Sequence, residues 1–359
     1  MQQPPPSADS DATVRSSLPE EPSSALLAAA HRWKRARDSD QPAAAAETLG
    51  TAAAAEAGDD IPTCAPTRVR LPNGWQIWGH APAELMYIYD EIFNRAVYFP
   101  NGSGVQLARG STKLVVDVGA NVGLFSLWIA QHAPSYQVLA LEPARRSFEL
   151  LQRNVDERGH SQRIACLQLA LGAEARGEAE LTWYSAMPGN ATLFPEAKER
   201  EVHIAFRPER HEAMLRSPGT AVELCEMATL SQVLRTRGYT VGGPAPLSDA
   251  TTGEPTVAAS EAASEAKSVT KRQPLRPIAL LKIDVEGAEV DVLRGIEDED
   301  WRRIEQVAVE THSVFDREEV VAILCRRYEE VGEVADQELE ACGLDRKIVY
   351  ARDRIQEAP

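Results

Sequence analysis

Aliphatic, strand-like runs alternate with helix-like runs through much of this 359-residue chain. The strand-like runs include KLVVDVG, YQVLALEP, IACLQLALG, IALLKIDV, EQVAVETH and RKIVYARD. The helix-like runs include RRSFELLQRNVDERG and REEVVAILCRRYEEVG, while GEAELTWYS alternates like an exposed antiparallel strand. Near-continuous aliphatic strands separated by helices are typical of a mainly parallel sheet covered on both faces. The sequence therefore predicts a doubly wound α/β fold.

Two segments do not share this pattern. Residues 1–60 are rich in Pro, Ser, Ala, Glu and Asp, and residues 242–276 are rich in Pro, Gly, Ser, Thr and Ala without periodicity. Such compositions are typical of disordered segments. We expect a disordered N-terminal tail over 1–60 and one folded domain over 61–359, interrupted by a disordered insertion at about 242–276.

Composition narrows the classes of partner. The formal net charge of −16 disfavours a nucleic-acid partner, which needs a basic surface. The five cysteines are scattered without a CxxC pair, so neither a zinc site nor a disulfide framework is indicated. No apolar run approaches the roughly 18 residues of a membrane helix, and the N-terminus does not resemble a signal peptide. We expect a cytoplasmic protein without a membrane span; no pattern indicates its oligomeric state.

A glycine-rich turn follows the first strand of the alternating region. In DVGANVG, Gly119 and Gly123 allow a tight turn, and the helix that follows offers free N–H groups to an anionic ligand. Glu142 follows the next strand, at a distance typical of acids that bind ribose hydroxyls. Together they predict a nucleoside-type ligand. The dinucleotide fingerprint GxGxxG is not matched, because Asn121 replaces its second glycine and Gly123 comes one residue early, which disfavours NAD.

Charged residues interrupt the aliphatic strand in LLKIDVEGAE. Alternation places Lys282 and Asp284 on one face of that strand, and Glu310 and His312 share a face of a later strand. If the two strands are neighbours, Glu310 is the expected partner of Lys282, since a buried lysine needs a counter-charge. Asp284 and Glu286 are then expected to project into a ligand crevice at the strand end.

Three motifs in this order resemble a known family. VVDVGANVGLFS, LALEP and LLKIDVEGAEVDVLRG resemble the FkbM-type family of S-adenosylmethionine-dependent methyltransferases. The earlier segment LPNGWQIWGHAPAELMYIYDEIFNRAVYF and the later VAVETH are similar to that family as well, so the resemblance covers about 68–353 without the insertion. It implies a Rossmann-like class I methyltransferase fold with a C-terminal antiparallel strand, and S-adenosylmethionine as cofactor.

The resemblance also implies roles for residues. Glu142 would bind the ribose, and the backbone around Ala170 and Leu171 would border the adenine. The turn that would hold the methionine part comprises Asp117, Gly119, Ala120, Asn121 and Gly123. The candidate catalytic residues are Lys282, Asp284, Glu286 and His312.

Family members of known role mostly methylate hydroxyl oxygens, so the resemblance implies a small-molecule or glycan acceptor. A hydroxyl acceptor must lose a proton, and either His312 or Asp284 would be its general base. The acidic cluster offers an alternative role as a site for Mg²⁺ or Mn²⁺.

Other functions are also open. A catalytically silent interaction protein on the same scaffold is the main alternative, and a dehydrogenase is disfavoured by the turn. Methylation of nucleic acid or protein is less favoured, since the Asp/Asn-Pro-Pro-aromatic motif is absent.

Overall fold

The computed structural model describes residues 65–108, 113–206, 208–237, 277–335 and 346–353. The predicted disordered tail (1–60) and insertion (242–276) lie outside these described residues. The boundaries of the expected domain therefore remain predictions.

Strands and helices are numbered here in chain order. The strands are β1 (Thr67–Arg70), β2 (Gln76–Gly79), β3 (Leu114–Val118), β4 (Gln137–Leu141), β5 (Ile164–Leu167), β6 (Ala170–Leu171), β7 (Gly177–Tyr184), β8 (Met187–Thr192), β9 (Ala221–Ala228), β10 (Ile278–Ile283), β11 (Gln306–Thr311), β12 (Glu330–Ala335) and β13 (Lys347–Arg352). The α-helices are α1 (Pro82–Tyr89), α2 (Leu124–His132), α3 (Arg145–Glu157), α4 (Pro195–Ala205), α5 (Pro208–Leu215), α6 (Leu230–Thr236), α7 (Glu289–Arg294), α8 (Asp298–Trp301) and α9 (Val314–Leu324). A π-helical turn (Asp90–Asn94) continues α1.

A seven-stranded sheet forms the centre of the fold, in the order β12-β13-β11-β10-β3-β4-β5. The strands from β11 to β5 pair in parallel, and β13 pairs antiparallel with both β11 and β12. The chain winds outward from β3 in one direction and from β10 in the other, so the strand order reverses between β3 and β10. This confirms the doubly wound sheet and its C-terminal antiparallel strand.

The aliphatic runs are buried because helices cover both faces of the sheet. In β3, Val115 packs in one apolar cluster with side chains of α1, α2 and α3. Its neighbour Val116 packs in the other cluster, with side chains of α6, α7 and α9. Fully burying one such side chain is worth about 1.5–3 kcal/mol, so two apolar layers fix the alternating pattern.

A second sheet, in the order β6-β9-β7-β8, adjoins the carboxyl edge of the main one. Of these four strands, only β7 was predicted as a separate strand. The run IACLQLALG, predicted as one strand, divides into β5 and β6. Helices α4 and α5 lie in the connection from β8 to β9 and were not predicted. The sequence between β6 and α6 therefore builds a small layer that the alternation pattern did not indicate.

The C-terminal helix was predicted too long. The run REEVVAILCRRYEEVG predicted a helix as far as Gly332, but α9 ends at Leu324 and Glu330 begins β12. The segment Glu330–Ala335, whose first three residues end the predicted helix, pairs with β13 over six residue positions. Pairing with a neighbouring strand therefore overrides local helical propensity here.

Candidate active site

A cleft opens at the carboxyl ends of β3 and β10, where ligands bind in doubly wound sheets. We name three connected spaces. The inner cleft is lined by the residues Gly119, Asn121, Glu142, Ala170, Leu171 and Glu286, among others. The middle pocket is lined by Glu84, Tyr98, Phe125, Lys282, Asp284 and Glu310, among others. The outer pocket is lined by Glu91, Asn101, Glu310, Arg346 and Lys347, among others.

The glycine turn packs directly against the end of β10. Gly119 has a φ of +75°, and a Cβ placed there would lie 1.7 Å from the carbonyl oxygen of Asp284. The Gly119 carbonyl accepts a hydrogen bond of 2.8 Å from Lys282 Nζ. Asn121, with a φ of +48°, is also left-handed. The turn is thus fixed at the strand end by contacts that only glycine permits at position 119.

Lys282 does not pair with Glu310 as predicted. Its ammonium lies 3.2 Å from Asp117 Oδ1 and 3.6 Å from Asp284 Oδ2. Strand register is the reason, because Lys282 lies opposite Asp117 on β3 and opposite Ala308 on β11. Burial acts to lower the pKa of Lys282, but the carboxylates of Asp117 and Asp284 outweigh it and raise the pKa. The lysine is therefore a charged cross-link beneath the turn.

Two residues predicted to hold the cofactor lie beneath the turn instead. Asp117 is fully buried and accepts a 2.6 Å hydrogen bond from the Ser126 hydroxyl. Gly123 packs against α3, where an added Cβ would lie 2.6 Å from a methyl of Leu151. Both residues thus shape the turn, and their contacts with a cofactor stay a prediction.

Other predicted cofactor residues do reach the open spaces. Gly119, Asn121 and Glu142 line the inner cleft, and Ala120 lines the middle pocket. Ala170 and Leu171, from β6, line the opposite side of the inner cleft.

Glu142 bridges the glycine turn and α3. Its Oε2 accepts the Asn121 N–H at 2.8 Å, and its Oε1 accepts the Ala144 N–H at 2.9 Å. Burial raises the pKa of Glu142 to about 7, against the opposing effect of these N–H donors. The carboxyl group is thus held rigidly at the cleft.

Glu286 is the centre of a buried charge cluster. Its backbone is left-handed, with a φ of +55°, an arrangement that costs a non-glycine residue about 1–2 kcal/mol. Its Oε2 lies 2.5 Å from Lys198 Nζ, 3.2 Å from His312 Nε2 and 3.5 Å from an Arg346 nitrogen. Burial acts to raise the pKa of Glu286, but His312, Lys198 and Arg346 outweigh it and hold the pKa well below its usual value. Glu286 thus combines a strained backbone with an ionised carboxylate that is surrounded by positive charge.

His312 is held between two carboxylates. Its Nδ1 lies 2.7 Å from Glu289 Oε1, and its Nε2 lies 3.2 Å from Glu286 Oε2. Burial acts to lower the pKa of His312, but Glu286 and Glu289 outweigh it and raise the pKa well above its usual value. An imidazolium donates from both nitrogens and has no lone pair to accept a proton. This geometry favours Asp284 over His312 as the general base.

The acidic cluster was the expected alternative site for Mg²⁺ or Mn²⁺. Asp284, Glu286 and His312 offer ligand atoms within 4.8 Å of one another. However, the ammonium of Lys198 and the guanidinium of Arg346 already lie at the Glu286 oxygen. A divalent cation there would have to displace both, so the arrangement favours fixed protein cations over a metal.

Sequence reasoning missed several side chains at the site. Tyr98 follows the π-helical turn, Lys198 lies on α4, and Arg346 precedes β13. Glu84 lines the middle pocket from α1, and its Oε1 accepts the Gly189 N–H at 2.6 Å. The family resemblance of the segment that contains Glu84 and Tyr98 was the available signal for those two residues, whereas no motif marked the others.

A family model identifies the chain. The methyltransferase FkbM domain matches residues 117–344, which include the glycine turn, β10 and, of the charge cluster, Lys198, Glu286 and His312. The chain belongs to the FkbM methyltransferase family. Membership supports methyltransferase activity and confirms the family resemblance found in the sequence.

Curated relatives agree with the family. Methyltransferase sdnD of Sordaria araneosa is 34% identical over 64% of this chain and 75% of its own length. Methyltransferase 1 of Beauveria bassiana is 30% identical over 68% of this chain and 80% of its own length. The 31-O-demethyl-FK506 methyltransferase FkbM of Streptomyces tacrolimicus is 32% identical over 71% of this chain and 86% of its own length. Each relative is thus similar over most of its own length.

Among solved structures, a methyltransferase FkbM from Methylobacillus flagellatus is similar, with 14% identity and a TM-score of 0.39 over 75% of this chain and 52% of the other.

Within the residues that the structure describes, no helix combines the length and apolar character needed to cross a membrane.

Proposed function

We propose that this FkbM-family protein transfers a methyl group from S-adenosylmethionine to a hydroxyl oxygen of a small molecule or glycan. The observation that carries this proposal is Asp284, a carboxylate at the border between the inner cleft and the middle pocket. Cofactor and acceptor would meet at that border.

The residues of the inner cleft fit the proposed cofactor. Asn121 Oδ1 is buried and has no hydrogen-bond partner among the described residues, so it can accept from the methionine ammonium. Gly119 lines the cleft at the turn, and Glu142 presents its carboxyl group to a ribose. Ala170 and Leu171 provide an apolar wall for adenine. When bound, S-adenosylmethionine supplies an electrophilic methyl group on a sulfonium.

The protein's own task is to position the acceptor and remove its proton. Asp284 has a side chain 25% exposed, and its Oδ2 accepts a 2.8 Å hydrogen bond from the Tyr98 hydroxyl. Held in this way, the carboxylate can take the proton of a hydroxyl in the middle pocket. Lys282 holds Asp284 against the turn, while His312 and Glu286 fix the strand end beside it. Precise alignment of the reacting atoms then supplies several kcal/mol of rate enhancement.

The pocket dimensions favour a small organic acceptor. The middle pocket measures about 110 Å³ and the outer pocket about 580 Å³. A hydroxyl-bearing group would enter the middle pocket, with the rest of the molecule in the outer one. The name of the Streptomyces tacrolimicus relative refers to 31-O-demethyl-FK506, an acceptor for methylation at oxygen in that protein. The net charge of −16 disfavours nucleic acid as acceptor, and we propose a cytoplasmic location.

Calorimetric titration with S-adenosylmethionine, and separately with NAD, tests the cofactor. We expect micromolar binding of S-adenosylmethionine alone, weakened about tenfold or more by Glu142→Ala, which corresponds to about 1.4 kcal/mol. Glu174→Ala, at an exposed site, is the matched control. Absence of S-adenosylmethionine binding would overturn the proposal, and binding of NAD instead would indicate a dehydrogenase.

A screen of hydroxylated small molecules with methyl-labelled cofactor then tests transfer. Label on an acceptor oxygen supports the proposal. Cofactor binding without transfer to any acceptor would favour a silent scaffold, and label on nitrogen would overturn the assignment to oxygen.

A further inference from the structure

The Tyr98 hydroxyl lies between two carboxyl groups. It donates to Asp284 Oδ2 at 2.8 Å and lies 3.3 Å from Glu310 Oε2. The ring is 4% exposed, and it packs edge-on against Phe125 with ring centroids 5.2 Å apart. The ammonium of Lys282 lies 5.3 Å from the ring centroid. The hydroxyl is therefore fixed in place by packing on the ring that carries it.

The two carboxyl groups face different spaces. Asp284 borders the inner cleft and the middle pocket, whereas Glu310 borders the middle and outer pockets. Three oxygen atoms thus form a continuous path of hydrogen-bonding groups from the proposed transfer position to the outer pocket. The Asp284 carboxyl would be covered once cofactor and acceptor are both bound, so a proton taken from the acceptor needs such an exit.

We propose that Asp284, Tyr98 and Glu310 form a relay that carries the acceptor's proton to the outer pocket. Before cofactor binds, the two carboxyl groups share one proton in addition to the Tyr98 hydroxyl hydrogen. This inference rests on the proposed function. The sequence analysis gave neither Tyr98 nor Glu310 a role in proton transfer.

The relay conserves protons, because each group that gains a proton passes one on. During transfer the acceptor O–H bond would break as its oxygen gains the methyl group, the sulfur of the cofactor would keep the electron pair of its broken bond to carbon, and the proton would move to Asp284. The carboxyl hydrogen of Asp284 then passes to the Tyr98 oxygen, while the Tyr98 hydrogen turns to Glu310 and is transferred there. Glu310 finally releases a proton to water in the outer pocket, which leaves both carboxyl groups ionised and the Tyr98 hydroxyl intact.

The surroundings of Glu310 suit temporary proton storage. Burial and the nearby Asp284 raise the pKa of Glu310 to about 7, although His312 and Arg346 act to lower it. A group with that pKa both accepts and releases a proton at neutral pH. The charged and titratable groups that face Glu310 from the surrounding elements are Tyr98, Asp284, Glu91, Lys282, Glu286, His312 and Arg346.

Proton release on cofactor binding tests the shared proton without an acceptor. Titrations at several pH values, in buffers of different ionisation enthalpy, count the protons released by S-adenosylmethionine and by S-adenosylhomocysteine. The first carries a positive sulfonium, which would lie in the cleft that Asp284 lines, whereas the sulfur of the second is neutral. Glu142, whose pKa is also about 7, lines the cofactor cleft and would respond to both ligands, so the difference between the ligands reports on the relay. At pH 7, wild type should release up to about half a proton more with S-adenosylmethionine than with S-adenosylhomocysteine, because a group with a pKa near 7 is half protonated there.

Two variants separate a relay from a structural contact. Glu310→Gln should abolish the difference in proton release between the two ligands. Tyr98→Phe keeps the ring but removes a donor to the carboxylates, so the pH of half release should rise by about one unit. Tyr328→Phe is the control, since it removes a buried hydroxyl that donates to Ile304 in the opposite apolar cluster.

The outcomes distinguish the relay from the proposed function. Equal proton release with the two ligands in wild type, a difference between them that persists in Glu310→Gln, or a Tyr98→Phe profile equal to that of wild type would overturn the relay and leave the proposed function standing. Absence of S-adenosylmethionine binding in wild type would overturn both. If Glu310→Gln does not fold, the Tyr98→Phe profile decides.

Discussion

The ammonium of Lys282 lies 3.2 Å from the carboxylate of Asp117, and neither side chain is more than 3% exposed. This pair joins the two strands between which the strand order reverses. The same ammonium donates to the Gly119 carbonyl and lies 3.6 Å from Asp284, so one buried charge fixes the glycine turn and the proposed base together.

Lys282→Met should destabilise the fold by about 3–5 kcal/mol, because it leaves Asp117 charged, buried and without its counter-ion. Urea unfolding measures the loss. The double variant Lys282→Met/Asp117→Asn should recover part of it, since the uncompensated charge is then removed. A single variant as stable as wild type would contradict the cross-link.

The sequence indicated most strands of the main sheet, the glycine turn and Glu142, because each depends on periodicity or on local spacing. It did not indicate the partner of Lys282, because that partner depends on the register of β3 and β10. Alternation shows which face of the sheet a residue occupies, but not which residue of the neighbouring strand lies beside it. Helix α9 was predicted too long for a similar reason, because β12 depends on pairing with β13. Lys198 and Arg346 come from parts of the chain without a recognisable motif, so only the folded structure brings them to Glu286.

Gly119→Ala should unfold the protein or cost several kcal/mol, since the new Cβ would meet the Asp284 carbonyl oxygen at 1.7 Å. Gly159→Ala is a matched control, because Gly159 also has a positive φ, of +71°, but has nothing within 4 Å of an added Cβ. The control should show only the backbone cost of about 1–2 kcal/mol. Urea unfolding compares the two variants. Equal losses would contradict a specific clash at the turn.

Asp284→Asn should reduce methyl transfer by about 100-fold or more, the contribution typical of a general base, while cofactor affinity changes little. His312→Ala should also reduce transfer, through loss of the contacts that fix Glu286. Single-turnover rates and calorimetry, measured on the same preparations, separate chemistry from binding. Full turnover in both variants would remove these residues from the proposed mechanism.

Chelation should leave cofactor affinity unchanged. Lys198, His312 and Arg346 already surround the Glu286 oxygen, so we expect the same dissociation constant in EDTA as in millimolar Mg²⁺ or Mn²⁺. Calorimetric titration under the three conditions checks this expectation. A change of about tenfold on adding either metal would favour the metal site that the acidic cluster suggested.

His312 should make stability depend on pH. Its pKa is raised well above the usual value of 6.5, so the contribution of the imidazolium is complete below that pH and is lost as pH rises through the folded-state pKa. The lowered pKa of Glu286 acts in the acid range, since its contribution is present above about pH 4.5 and is lost as pH falls through its folded-state value.

His312→Gln should therefore destabilise the fold more at pH 6 than at pH 9, measured by urea unfolding. His203→Gln, at an exposed position, is the control and should show little change at either pH. Equal losses for His312→Gln at both pH values would mean that His312 is neutral in the fold, and the general-base role would return to it.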